Sequence, residues 1–100
     1  MSRDVIYRPA AEADLKAIYD YIARDSRENA LRFLERIRTR ADSLSDFPQR
    51  GTRRDDVSPG LRTFGIERRV TIVFRVTSDS VEIVNVLYGG RDIELALRSN

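Results

Sequence analysis

Hydrophobic residues in the first half of the chain recur every three or four positions, which predicts two amphipathic helices. The first helix begins at Pro9, a residue favoured at the first helical position. Its apolar face comprises Ala11, Leu15, Ile18, Tyr19 and Ile22. The second helix, capped by Ser26 or Asn29, is predicted to run to about Phe47. Its apolar face comprises Ala30, Phe33, Leu34, Ile37, Ala41 and Leu44. Because the connection between them is short, we expect the helices to pack as an antiparallel hairpin.

Beyond the second helix the pattern changes from helical spacing to alternation. Residues 48–60 hold two prolines and two glycines and show no periodicity, which predicts a loop. Three predicted strands follow it: Leu61 to Ile66, Val70 to Thr77, and Val81 to Tyr88. The short links between these strands indicate antiparallel hairpins.

The two ends of the chain complete the predicted fold. The run Val5-Ile6-Tyr7, within residues 3–8, is typical of a strand. At the other end, Asp92 can cap a short helical turn over residues 93–98. The elements predict an α+β fold in which the helix hairpin packs on a three- to four-stranded, mainly antiparallel sheet. A chain of 100 residues fits one domain, residues 1–100.

Composition removes many kinds of active site. The chain contains neither Cys nor His, which excludes disulfides, thiol nucleophiles, imidazole bases and the common zinc sites. We therefore expect no metal and no cofactor. No apolar stretch approaches the roughly 20 residues of a membrane span, and the N-terminus lacks the apolar run of a signal peptide. The sequence thus predicts a cytoplasmic protein without membrane contact.

The basic residues are almost all arginine. Of 18 basic residues only Lys16 is lysine, while 16 acidic residues leave a net charge of +2. Guanidinium groups bind carboxylates and phosphates in a bidentate manner, so this bias suits an acidic partner. A coding bias towards arginine would give the same composition. Because the net charge is small, we expect no direct, specific binding of nucleic acid.

Short sequence words occur in a specific order along nearly the whole chain. They are Pro9-Ala10-Ala11 with Asp14-Leu15, Ile18-Tyr19-Asp20-Tyr21-Ile22-Ala23, Ala30, Phe33, Leu44, Phe47-Pro48, Gly51, Gly60-Leu61-Arg62, Val73-Phe74-Arg75-Val76 and Val86-Leu87-Tyr88-Gly89-Gly90-Arg91-Asp92. With these words the chain resembles the ParE branch of the ParE/RelE toxin family. Two positions depart from the family pattern: Arg8 replaces a frequent serine, and Tyr88 replaces a frequent histidine.

The resemblance implies the toxin of a type II toxin-antitoxin system. Such a toxin would inhibit DNA gyrase by binding and would be neutralised by a ParD-like antitoxin in a hetero-oligomer. The sister RelE branch implies an alternative, a ribosome-dependent endoribonuclease that cuts messenger RNA. Without an imidazole, a nuclease mechanism would have to use other groups.

A nuclease would need cations around the scissile phosphate and a group that accepts a proton. The candidates for that alternative are Arg62, Glu67, Arg75, Tyr88 and Arg91. Arginine stays protonated and a free tyrosine titrates near ~10, so only Glu67 could accept a proton readily at neutral pH. We therefore expect no catalytic residues and a protein that is not an enzyme. In a structural interpretation, Arg75 lies over its neighbours or pairs with Glu82 on the adjacent strand, and Arg62 binds a loop carboxylate such as Asp55 or Asp56.

Exposed tyrosines and arginines are the residue types best suited to anchor a protein interface. The candidates for antitoxin binding are Tyr19, Tyr21, Arg24, Arg53, Arg54 and Arg75. The candidates for target binding are Arg62, Tyr88, Arg91 and Asp92. An amphipathic antitoxin helix could enter the groove between hairpin and sheet, or an extended segment could add to a sheet edge. Tyr19 could instead belong to the core, and Arg91-Asp92 could simply end a strand and cap a helix.

Overall fold

The computed structural model describes residues 3–89, in which two helices cover one face of a five-stranded sheet. The elements are β1 (Asp4–Tyr7), α1 (Pro9–Ala23), α2 (Arg27–Asp42), a 3-10 turn (Ser43–Ser45), β2 (Thr52–Arg53), β3 (Leu61–Ile66), β4 (Val70–Val76) and β5 (Ser80–Tyr88). The strand order is β1-β5-β4-β3-β2, with β1 parallel to β5 and the other neighbours antiparallel. The predicted α+β fold is confirmed with one strand more than expected. The predicted turn at 93–98 lies outside the described residues, and the single domain over 1–100 stays a prediction.

The helices begin where the sequence predicts and end earlier. Pro9 opens α1, although Arg8 before it makes no side-chain capping bond. Ser26 caps α2, because its Oγ accepts the Asn29 backbone N–H at 3.1 Å. The helix then ends at Asp42 rather than near Phe47 and tightens into the 3-10 turn. A proline follows Phe47, and the residue before a proline is disfavoured in helical conformation.

The inner core lies between the helices and the sheet. Its largest fully buried side chains include Leu15, Phe33 and Ile37 from the helices, and Ile72, Phe74 and Ile83 from the strands. Alternation along β4 sends every second side chain to this face, as predicted. Burying each of these large side chains contributes roughly 1.5–3 kcal/mol, so the inner core is the main source of stability.

A smaller apolar cluster covers part of the outer face of the sheet. It contains Leu61, Val73, Val84 and Leu87, with Val57 from the preceding loop packed against them. The sequence predicted a loop over residues 48–60, but this region also contains a short strand. Its two-residue strand β2 pairs with β3, and Gly51 permits the approach: a Cβ there would lie 2.1 Å from the Thr63 carbonyl oxygen.

Helix α1 is fixed to β5 by one carboxylate. The β4–β5 register shifts between Val73 and Phe74, so Val84 is an extra residue in β5. Next to this bulge, Asp14 Oδ2 accepts the Val86 backbone N–H at 2.9 Å and the Asn85 side-chain amide at 3.0 Å. The carboxylate thereby satisfies a backbone donor and holds the helix hairpin in place on the sheet.

The candidate site residues lie at two ends of the sheet. At one end of the sheet β3 turns into β4 and β5 reaches its last residue. We call this the "turn end". The opposite end, where residues 54–60 lead into β3, is the loop end. The pairs Ile66–Val70 and Arg62–Phe74 mark the two ends in the β3–β4 ladder. These pairs are four residues apart, which is about 14 Å at the usual rise of a strand.

Candidate functional site

Three aromatic rings from three elements meet at the turn end. The Tyr88 ring centroid lies 5.9 Å from that of Tyr21 in α1 and 6.1 Å from that of Phe33 in α2. Phe33 is buried, whereas 58% of Tyr21 is exposed. The tilted and edge-on geometries are those that aromatic pairs prefer. The rings therefore form a continuous path from the inner core to the surface.

Arg69 holds this aromatic group together. Its guanidinium carbon lies 4.3 Å from the Phe33 centroid and 5.8 Å from the Tyr88 centroid. Its Nη2 also donates to the Tyr88 hydroxyl at 3.1 Å. A cation over aromatic faces is attracted by their quadrupoles, by about 0.5–2 kcal/mol depending on burial. Arg69 thus fixes both the ring and the hydroxyl of Tyr88.

The turn that carries Arg69 has an uncommon backbone. Glu67 and Arg68 both have left-handed φ angles, 53° and 57°, although neither is glycine. The Arg69 N–H donates to the Ile66 carbonyl at 3.0 Å and closes the turn. For non-glycine residues this conformation costs roughly 1–2 kcal/mol each. Such strain often accompanies functional positions, which draws attention to the side chains at this tip.

Glu67 forms a two-point ion pair with Arg36 of α2. Arg36 Nε donates to Glu67 Oε2 at 2.6 Å, and Nη2 donates to Oε1 at 3.3 Å. These hydrogen bonds from Arg36 lower the pKa of the Glu67 carboxyl and raise that of the guanidinium. Glu67 therefore stays ionised and is a weak proton acceptor at neutral pH.

A groove of about 400 Å³ runs beside this ion pair, between α2 and the turn. We call it the arginine groove; its lining residues are Arg32, Glu35, Arg36, Thr39, Arg40 and Glu67. Two of the arginines lie over aromatic rings: Arg36 is 5.3 Å from the Phe33 centroid, and Arg40 is 5.4 Å from that of Phe64. Three arginines against two glutamates give the groove a net positive charge.

At the loop end, arginines are used to hold the chain in place. Arg62 donates to the Gln49 carbonyl at 3.1 Å and to its side-chain oxygen at 2.8 Å. Arg75 donates to Ser58 Oγ at 2.8 Å and to the Pro59 carbonyl at 3.4 Å. The structural partners predicted for these two arginines, Glu82 for Arg75 and Asp55 or Asp56 for Arg62, are therefore wrong.

The loop carboxylates have other partners. Asp55 accepts the Gly60 backbone N–H at 2.9 Å, and this bond is the main reason that its pKa lies below the usual range. Asp55 also pairs with Arg53, and Asp56 pairs with Arg54, which lowers the Asp56 pKa. The charges of Arg53 and Arg54 in this loop are thus neutralised by the loop's own acidic residues.

The candidates for nuclease chemistry do not share one surface. Glu67 and Tyr88 lie at the turn end, whereas Arg62 and Arg75 lie at the loop end. Arg62 is opposite Phe74 of the inner core and Arg75 is opposite Leu61 of the outer cluster, so the two project to different faces. The remaining nuclease candidate, Arg91, falls outside the described residues, as does Asp92, a candidate for target binding.

The candidates for antitoxin binding also divide into two groups. Tyr21 and Arg24 lie at the turn end, with the Arg24 guanidinium 5.9 Å from the Tyr21 centroid. Tyr19, in the same helix, is half-buried. Arg53, Arg54 and Arg75 belong to the loop end. The proposed target residues Arg62 and Tyr88 are likewise at opposite ends.

The sequence did not lead us to the arginine groove. Arg32, Arg36 and Arg40 follow one another at four-residue intervals on α2, which places them on one helix face. That spacing is the signal that could have identified them. The role of Glu67 could not have been found in this way, because its partner Arg36 is 31 residues away.

Residues 3–89 lack the features of two other kinds of site. No helix in this range is long and apolar enough to cross a membrane. No group of three or more acidic, His or Cys side chains there is arranged to hold a metal ion.

Comparison with known proteins gives a consistent picture. Residues 5–93 match the model of a family described as "ParE toxin of type II toxin-antitoxin system, parDE". The chain is 34% identical over 87 residues to Toxin RelE2 of Caulobacter vibrioides, covering 87% of this chain and 96% of that protein. It is 33% identical over 102 residues to Toxin ParE3 of the same organism, covering 97% and 96%. A solved structure titled "Chromosomal ParDE TA system from P. aeruginosa" contains a chain of similar fold, with a TM-score of 0.74, 29% identity, and coverage of 87% and 96%.

Proposed function

The chain belongs to the ParE toxin family of type II toxin-antitoxin systems, and from this premise we propose that it inhibits DNA gyrase by binding to it. We further propose that a ParD-like antitoxin binds the toxin and neutralises it. The similarity to a chain from a ParDE system supports the second part. In this proposal the protein acts through its surface and breaks no covalent bond.

The observation that carries the proposal is the ion pair between Glu67 and Arg36. Glu67 is the candidate proton acceptor, and Arg36 binds both of its carboxylate oxygens at 2.6 and 3.3 Å. Because this pairing lowers the pKa of Glu67, the carboxylate is a poorer base than a free glutamate. An effective general base has a pKa near the working pH, so the pairing supports a role in binding.

The separation of the other candidates supports the same conclusion. General acids and bases act within hydrogen-bond reach, about 3 Å, of the reacting atoms. Arg62 and Arg75 are at the far end of the sheet from Glu67 and are bound to Gln49 and Ser58. An interface asks less of the molecule, since it needs only a complementary surface with anchoring side chains.

The turn end offers such anchors. Tyr21 is largely exposed and Tyr88 presents a hydroxyl that Arg69 holds in place. Aromatic and arginine side chains provide large contact areas together with directed hydrogen bonds, and they dominate the binding energy of many interfaces. We therefore propose Tyr88, of the predicted target-binding residues, as a contact to gyrase.

One observation favours a second function. The similarity to a protein named Toxin RelE2 is as strong as that to Toxin ParE3. A RelE-like, ribosome-dependent endoribonuclease is therefore the alternative.

Two assays run side by side distinguish these functions. In the first, purified gyrase supercoils a plasmid in the presence of the toxin; in the second, translating ribosomes are incubated with the toxin and their messenger RNA is mapped for cuts. We expect lost supercoiling with intact transcripts, and weaker inhibition by Tyr88→Phe than by the wild type. Lys16→Ala, an exposed change on α1, serves as the control. Cut transcripts that disappear in Glu67→Gln, together with unaffected gyrase, would reverse the assignment.

A further inference from the structure

We propose that the arginine groove is a carboxylate-binding site for an acidic, amphipathic segment of the antitoxin, and that Glu67 occupies it as an internal substitute in the free toxin. This inference rests on the proposed antitoxin function and names the surface and chemistry of that contact. The groove lies between α2 and the turn after β3, away from the loop-end arginines predicted from the sequence.

The row of arginines at positions 32, 36 and 40 does not stabilise helix α2 by itself. Like charges four residues apart on a helix destabilise it by about 0.2–0.5 kcal/mol per pair. Arg32 pairs with Glu28 on the helix surface and Arg36 pairs with Glu67. Arg40, by contrast, contacts the Phe64 ring and forms no salt bridge among residues 3–89, although its charge also helps to lower the pKa of the Glu67 carboxyl. The row thus retains a cation that an incoming anion can use.

Aromatic rings hold two of these guanidinium groups ready for a ligand. Arg36 lies over Phe33 and Arg40 over Phe64, at 5.3 and 5.4 Å from the centroids. A guanidinium that stacks by its face leaves its N–H edges available for hydrogen bonds. Because stacking already restricts the side chain, less conformational entropy is lost when a carboxylate binds.

Glu67 shows how a carboxylate fits into the groove. Its two oxygens engage two nitrogens of Arg36, the bidentate arrangement that arginine makes with carboxylates. The pair is exchangeable, since both side chains are more than a third exposed and exposed ion pairs contribute little to stability. The strained backbone at Glu67 also makes the turn easier to rearrange.

The surroundings of the groove indicate an amphipathic ligand. A neighbouring depression of about 240 Å³ shares Arg32 and Arg36 with the groove and is also lined by Ile22 and Phe33. A segment that places acidic side chains on the arginines can therefore place an apolar side chain against the partly exposed Ile22, since Phe33 is buried beneath Arg36 and Arg69. This pattern matches one face of an amphipathic helix or of an extended strand.

The acidic residues of the groove favour a peptide over a nucleic acid. Glu35 and Glu67 both line it. Every nucleotide of a polynucleotide brings a negative charge, so some phosphates would face these carboxylates. A peptide can put carboxylates against Arg36 and Arg40 and a neutral or basic residue against Glu35. The partner that fits is therefore an acidic protein segment.

Titration calorimetry of the toxin with the antitoxin encoded beside it tests this inference. We expect Arg40→Gln to weaken binding about tenfold and Arg36→Gln at least as much, because each removes a charge-assisted contact. Both variants should also reduce the salt dependence of the affinity. Glu67→Gln should tighten binding severalfold, since it frees Arg36. Lys16→Gln, which removes an exposed cation paired within its own helix, is the matched control and should change affinity less than twofold.

The outcomes separate the two levels of the proposal. Tight binding by the wild type that none of the three groove variants changes would overturn the groove while leaving the antitoxin function intact. Absence of binding by the wild type would overturn both. Circular dichroism checks that the variants fold, and Arg40→Gln keeps the test decisive if Arg36→Gln unfolds, because the Arg40 side chain forms no salt bridge within the described residues. A fluorescent single-stranded RNA forms the second arm: binding that Arg40→Gln abolishes would assign the groove to nucleic acid instead.

Discussion

Arg75 and Glu82 face each other in the β4–β5 ladder but do not pair. Arg75 bonds Ser58 and Pro59, whereas Glu82 accepts from Arg8 at 3.4 Å. The guanidinium thereby connects the middle strand to the loop that covers the outer cluster. The loop end is thus a structural clamp, in contrast to the exposed cations of the turn end.

Arg75→Ala should loosen this clamp. We expect the free energy of unfolding to fall by about 1–2 kcal/mol, because two hydrogen bonds to the loop are lost. Amide exchange should accelerate at residues 57–61. The matched variant Glu82→Ala removes only a partly exposed ion pair and should stay within about 0.5 kcal/mol of the wild type. Equal losses in both variants would contradict the clamp.

Arg68→Gly should stabilise the protein. Arg68 adopts a φ of 57°, which glycine tolerates without the steric cost of a Cβ atom. We expect a gain of about 1 kcal/mol in chemical denaturation. Arg68→Ala is the control, because it removes the same side chain but keeps the Cβ. A gain of similar size in the alanine variant would show that the side chain, and not the backbone, is responsible.

The ion pair of Glu67 should make stability depend on acid pH. Arg36 lowers the pKa of the folded-state carboxyl below its ordinary value of 4.5. The contribution of the ion pair to the free energy of unfolding is therefore complete above the ordinary carboxyl pKa of 4.5. It is lost as pH falls through the lower pKa of the folded state. We expect Glu67→Gln to be less stable than the wild type at pH 7, with the difference shrinking as pH falls below 4.5. Urea titrations at several pH values measure it, and a difference that does not change with pH would refute the ionic origin.

Tyr7→Phe should stabilise the protein and remove an alkaline transition. Burial raises the pKa of Tyr7 from 10.0 to about 12, and its hydroxyl has no hydrogen-bond partner within the described residues. The Asp42 carboxylate raises this pKa further, whereas Arg38, whose guanidinium carbon lies 4.9 Å from the ring centroid, opposes the shift. Removing a buried, unpaired hydroxyl should gain about 1 kcal/mol at neutral pH.

The alkaline behaviour gives the second measurement on Tyr7. A raised folded-state pKa means that the stabilising contribution is complete below pH 10 and is lost as pH rises towards 12. The wild type should therefore lose stability in this window more steeply than Tyr7→Phe. Tyr19→Phe, at a half-buried position on α1, is the control and should follow the wild type. Parallel curves for wild type and Tyr7→Phe would contradict the prediction.

The elements that the sequence predicts correctly are those with a strong local pattern. β3 has the predicted bounds, and Pro9 and Ser26 mark the helix starts, because turn and cap residues act over a few positions. β2 was missed since a strand of two residues carries no alternation. Its existence depends on pairing with β3, a contact that only the folded chain makes.

The functional surface was harder to predict, because its groups come together from distant positions. Tyr21, Phe33 and Tyr88 meet only when the helix hairpin packs on the end of β5. Residue type pointed to tyrosines and arginines as interface anchors, which stays a prediction. It could not tell which arginines hold loops and which are available to a ligand.

The parallel pairing of β1 with β5 has a consequence for synthesis. Asp4 pairs with Ser80, and Arg8 donates to Glu82. Strand β1 therefore leaves the ribosome well before its partner β5 is available for pairing. Pairings so distant along a chain form slowly, and the inner core lacks Ile83 and Val86 until β5 emerges. The inner core therefore forms only after β5 has been synthesised. A nascent chain that stops short of β5 lacks part of this core and is exposed to proteolysis.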